Sequence, residues 1–110
     1  MLDIRVMDGA DRTTVVLDGE VDMSTSDRVR STANSALAQH PDVLVVDLRL
    51  VRFIDSTGLR TLVDVQREAE RRHKRMVIVR GPHHVDRVFQ ITALDRVLNM
   101  VEDPTSLPPP

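Results

Sequence analysis

The chain has 110 residues, enough for one domain whose core needs no staples, and its 0 cysteines exclude disulfides, thiolate catalysis and sulfur-ligated zinc. Its formal net charge of -2 argues against a surface built mainly to hold nucleic acid or anionic membrane. With no Trp or Tyr and only Phe53 and Phe89, it also lacks a stacking platform for single-stranded bases.

The opening MLDIRVMDGADR lacks the basic and apolar regions of a signal peptide. No apolar run approaches the ~18 residues that span a bilayer, so a soluble, cytoplasmic protein is expected. Leu2, Ile4 and Val6 alternate with Asp3 and Arg5, the period of a half-buried strand. Asp8-Gly9-Ala10-Asp11 has turn chemistry and Thr13 to Leu17 is β-branched, which predicts a hairpin. Gly19-Glu20-Val21-Asp22 then breaks the pattern. Ser24, Thr25 and Ser26 offer N-caps for a helix whose apolar stripe is Val29, Ala33, Ala36 and Leu37, ended by His40-Pro41-Asp42.

Asp42 to Leu48 is a nearly continuous apolar run, as in a central strand covered on both faces. A second helix follows Ile54, with Leu59, Leu62, Val63, Gln66 and Ala69 on one stripe. It ends in Glu68 to Arg75, acids first and bases last, as the helix dipole prefers. Met76 to Val79 predicts another buried strand and Gly81-Pro82 a turn. Val85, Val88 and Phe89 mark a third helix, Ala93 to Val97 a further turn, and Leu98 to Val101 an edge strand. The order β-β-α-β-α-β-α predicts an α/β fold, a single domain in which helices pack over a mixed sheet. That domain is expected over residues 1–102, followed by a disordered Pro-rich tail over 103–110.

Chemistry concentrates in FIDSTGLR, residues 53–60. A nucleophile elbow would need glycine where Ile54 stands, and no general base is set beside Ser56, so no enzyme is expected. There is no P-loop pattern, and adjacent His83 and His84 diverge without a third ligand, so neither cofactor nor metal is expected. Asp47 is expected to end a strand and serve a turn, not to pair with Asp55 as a hydrolytic acid. Glu68 and Glu70 interleave the basic run Arg67 to Arg75, which reads as a solvated helix end and not as a nucleic-acid patch. Asp55 or Ser56 suits a cap for the second helix, but a cap leaves Gly58 in the first turn unexplained. The residues alone leave two equal readings there, a plain cap and an exposed hydroxyl meant to be reached.

Four stretches carry a family likeness. They are Gly19-Glu20-Val21-Asp22; Val45-Val46-Asp47-Leu48 with Phe53-Ile54-Asp55-Ser56-Thr57-Gly58-Leu59; Val77-Ile78-Val79 with Pro82, Val85, Arg87 and Phe89; and Thr92-Ala93-Leu94. Together they resemble STAS-domain anti-sigma factor antagonists, over nearly everything from Leu2 to Glu102. The resemblance implies a partner-switching protein that binds an anti-sigma factor serine kinase and so frees a sigma factor. Phosphorylation of Ser56, with Thr57 as the second candidate, would dissociate the complex, and a PP2C-type phosphatase would reset it. The implied partner surface is Asp22, Asp55, Thr57, Gly58, Leu59 and Arg60, without nucleic acid, membrane or metal. Arg60 and Ala93 depart from the pattern, since the family often has glycine at both places. The alternative within the same fold is an unphosphorylated STAS scaffold of a sensory or lipid-transport complex.

Overall fold

The computed structural model describes residues 1–104; positions 105–110 of the expected tail lie outside the described residues. Strand β1 (Leu2–Asp8) pairs antiparallel with β2 (Arg12–Val21), closing the hairpin that the alternation predicts. The break expected at Gly19 falls later, because β2 runs on to Val21. Gly19 has φ 133°, and a Cβ there would lie 2.2 Å from the Met1 carbonyl oxygen. Glycine at this point lets the start of β1 lie against β2 and does not turn the chain.

Helix α1 (Ser26–Leu37) leads to β3 (Val43–Ile54), α2 (Ser56–Arg71), β4 (Arg75–Val79), α3 (His83–Ile91), a 3₁₀ turn (Leu94–Arg96) and the short β5 (Met100–Val101). The strands lie side by side in chain order, parallel from β2 onward. Right-handed crossovers that all step in one direction must leave their helices on one face. The packing follows: Val29 and Ala33 of α1, Leu62 and Val65 of α2, and Val85 and Phe89 of α3 share a core with Val15, Leu17, Leu44, Val46 and Ile78. Strand residues of opposite parity, Val43, Val45, Val77 and Val79, form a second buried cluster on the other face. Fully burying one such Leu or Phe contributes about 1.5–3 kcal/mol, so this core supplies most of the drive to fold.

Two expectations shift in detail. Strand β3 continues six residues past Leu48, but register shifts against β2 expose Leu50 and Phe53 and hide the strand pattern. On α2 the buried stripe is Gly58, Leu59, Thr61, Leu62, Val65 and Ala69, with Val63 and Gln66 only half-buried at its margin. Arg30 joins α1 to α2, donating to the buried Thr61 hydroxyl at 3.2 Å and to Asp64 at 3.1 Å. At the end of α2, Glu68 pairs with Arg71 and Arg72, and the Arg72 bond chiefly holds its carboxyl below the usual range. The basic run is thus partly neutralised within its own helix.

Candidate functional site

Parallel pairing brings Val21 of β2 and Ile54 of β3 into register, so the segments that follow them emerge side by side. Asp55 joins the two. Its backbone N–H donates to the Val21 carbonyl at 3.2 Å. One carboxylate oxygen accepts from Gly58 N at 2.8 Å, capping the first turn of α2, and the other accepts from Met23 N at 3.2 Å. One acid therefore caps a helix and fixes a loop 32 residues away in sequence.

The loop it fixes is built around Asp22. The Asp22 carboxylate accepts from the Ser24 hydroxyl at 2.7 Å and from Ser24 N at 2.9 Å. Those bonds, the hydroxyl's first, hold it below the usual carboxylate range. Thr25 donates its hydroxyl to the Glu20 carbonyl at 2.9 Å, and Ser26 donates to the Asp22 carbonyl at 2.7 Å. This corrects the capping role expected of Ser24, Thr25 and Ser26. Thr25 stands at the cap of α1 without a side-chain cap bond, because these hydroxyls are spent on ordering the loop.

Ser56, the first residue of α2, is exposed, and its hydroxyl makes no hydrogen bond among the described residues. Thr57 is half-buried, which makes it the less accessible of the two hydroxyls. Arg60, one turn on from Ser56, is exposed and has no ion pair among the described residues. Ser56, Thr57 and Arg60 line a recess of about 170 Å³. It adjoins a groove of about 550 Å³ between α2 and the segment after α3, lined on the α2 side by Leu59, Val63, Asp64 and Arg67 beside Ser56 and Arg60, and on the other by Thr92 and Leu94. No histidine lines either depression; the ring of His84 instead meets the Arg52 carbonyl at 2.7 Å.

Two residues of the expected partner surface are buried: Gly58, and Leu59, which the apolar stripe of α2 already places toward the core. Gly58 is buried, and a Cβ on it would lie 2.4 Å from the Val21 carbonyl oxygen and 2.9 Å from side-chain carbons of Ile54 and Val21. Its missing side chain admits β2 from inside, which accounts for the glycine that a cap alone leaves unexplained. Leu59 is only 5% exposed and belongs to the core, reaching the groove through its edge. No sequence motif marks Met23, which is 79% exposed beside Asp22. An apolar residue set among acids and hydroxyls was the available signal. Ala93, where the related pattern favours glycine, has φ 60°, a left-handed conformation that glycine adopts without strain.

Residues 4–102 match the sequence profile of the family described as "Mlab, STAS domain". The chain is 27% identical to the anti-sigma-B factor antagonist of Listeria monocytogenes over 90 residues, 82% of this chain and 79% of that one. Its fold matches the crystal structure of an anti-sigma factor antagonist from Mycobacterium paratuberculosis with TM-score 0.86 and 24% identity, covering 96% of this chain and 89% of that one. It also matches the Bacillus cell fate determinant SpoIIAA in its phosphorylated form, with TM-score 0.69, 19% identity and 96% of each chain covered.

Proposed function

The chain belongs to the STAS domain family, and from that membership we propose that it is an anti-sigma factor antagonist switched by phosphorylation of Ser56. In this reading a single STAS domain over residues 1–102 binds an anti-sigma factor that is itself a serine kinase, which frees a sigma factor. The kinase phosphorylates Ser56 and releases the antagonist, and a PP2C-type phosphatase restores it. Asp22 and Asp55 present the acidic side of the contact, Met23 an apolar one, and Thr57, Leu59 and Arg60 continue it along α2.

The observation that carries this is the uncommitted, exposed hydroxyl of Ser56 next to a carboxylate that is fully committed. Phosphate adds about -1.5 to -2 charges at pH 7. Both Asp55 oxygens are already bonded within the protein, so the new group has no cap to displace. The first turn of a helix tolerates an anion, to the extent of about 0.3–1 kcal/mol. In a closed interface the same charge would sit desolvated beside Asp55. An uncompensated buried charge costs about 3–5 kcal/mol, a loss of roughly two to three and a half orders of magnitude in affinity.

Incubation with a kinase-type anti-sigma factor and ATP, followed by intact mass, should show one added phosphate. Ser56→Ala should show none, and Ser56→Asp should bind the kinase more weakly. Undiminished phosphate on Ser56→Ala would sink the assignment. An unmodified parent chain that co-purifies with membrane-transporter subunits would favour the scaffold alternative.

A further inference from the structure

Arg60 lies four residues after Ser56 on α2, and the two side chains share the recess that Thr57 completes. Residues at this spacing stand one above the other on a helix, their Cβ atoms about 5–6 Å apart. Neither side chain has a hydrogen bond or ion pair among the described residues. The acid that Arg60 would otherwise take, Asp64 at the next four-residue step, is already held by Arg30 at 3.1 Å. Asp55, the acid just before α2, gives its oxygens to Gly58 and Met23. The wall opposite α2, Thr92 and Leu94, carries no charge, and the groove's other cation, Arg67, stands about two turns beyond Arg60 on α2, farther from Ser56. Among the described residues Arg60 is therefore a cation without an ion pair that shares a recess with the Ser56 hydroxyl.

Building on the reading of Ser56 as phosphoacceptor, we propose that Arg60 is the internal counter-ion of phospho-Ser56. In the unmodified protein its guanidinium is free for an acceptor on the partner. Once the phosphate is present the guanidinium turns onto it, two N–H groups donating to two phosphate oxygens. An acid placed N-terminal to a base four residues on is the favourable order for such a pair. A planar guanidinium also suits a phosphate better than an ammonium does. Phosphorylation thus acts twice on the docking surface, adding an anion and withdrawing a cation.

The test places phosphoserine at position 56 during translation with an expanded genetic code, so no kinase is needed. Phosphorus NMR then follows the second ionisation of that phosphate in the parent, Arg60→Gln and Arg60→Lys proteins. The pairing lowers the parent phosphate pKa relative to Arg60→Gln by about 0.15–0.4 unit, a change of about 1.4- to 2.5-fold in acid constant. Arg60→Lys should fall between them, and the difference should shrink in about 1 M salt. Equal pKa values in all three overturn the proposal. Arg60 is exposed, so its substitution leaves the fold available for the measurement. Failure of every kinase to modify Ser56 would count against the phosphoacceptor reading and leave the titration result standing.

Discussion

Gly58→Ala separates the inward role of this glycine from an outward one. No positive φ requires glycine here, and in an open helix alanine would be favoured by about 1 kcal/mol. The added Cβ would instead lie 2.4 Å from the Val21 carbonyl oxygen, about 1 Å inside the ~3.3 Å at which a carbon meets such an oxygen. That oxygen also accepts the Asp55 N–H at 3.2 Å, so moving it away strains the bond that seats the start of α2. Moving α2 instead loosens Leu59 and Leu62 in the core. Overpacking of this kind costs about 1–3 kcal/mol. Because the nearest obstacle is backbone, the upper part of that range applies, about 3 kcal/mol. Subtracting the helix gain of about 1 kcal/mol leaves a net loss near 2 kcal/mol. For a chain of this size the thermal midpoint should fall by roughly 5–10 °C, followed by far-UV circular dichroism. An unchanged or raised midpoint, with Ser56 phosphorylation alone impaired, would refute the packing argument and return Gly58 to a role on the outer surface.

Asp55→Ala removes both the cap of α2 and the acceptor for Met23 N, and should cost about 1–2 kcal/mol in urea unfolding. Asp55→Asn keeps one acceptor oxygen and should lose clearly less; equal losses would mean that charge, not the acceptor, holds the loop. Asp22 ionises more readily in the folded state than in the unfolded chain, because Ser24 bonds its carboxylate. Its contribution is complete above the unfolded value and is lost as pH falls through the lower folded value. Asp22→Asn should therefore flatten the decline of stability below about pH 4, seen as thermal midpoints across a pH series. A decline as steep as the parent's would assign acid sensitivity to other groups.

What was legible in the sequence is what local pattern determines. The alternation of Leu2 and Ile4, the run from Val43 to Leu48 and the stripe of α2 each report a face through spacing alone. What escaped depends on contacts made across the chain. Gly19 looks like a turn because only the close approach of Met1 explains it as a strand residue. The second half of β3 was hidden by register shifts, which no single strand records. Ser24, Thr25 and Ser26 have cap chemistry, but the Asp22 loop claims their hydroxyls first. At the site, the cap by Asp55 was readable from one helix, whereas its bond to Met23 needed β2 and β3 in register.

That register bears on how a small modification can change binding without changing the fold. The acid, the loop and the first turn of α2 are tied by bonds that consume both oxygens of Asp55 and the Val21 carbonyl. The Ser56 side chain stands outside this closed set, as does that of Arg60. A group added to Ser56 meets solvent and Arg60 before it meets any bond that supports the domain. A switch placed on Thr61, which is fully buried and tied to both Thr57 and Arg30, would have to break α1 from α2 in order to act. The bonds that order this site leave the Ser56 hydroxyl out, so the proposed phosphorylation there would let stability and partner affinity be set independently.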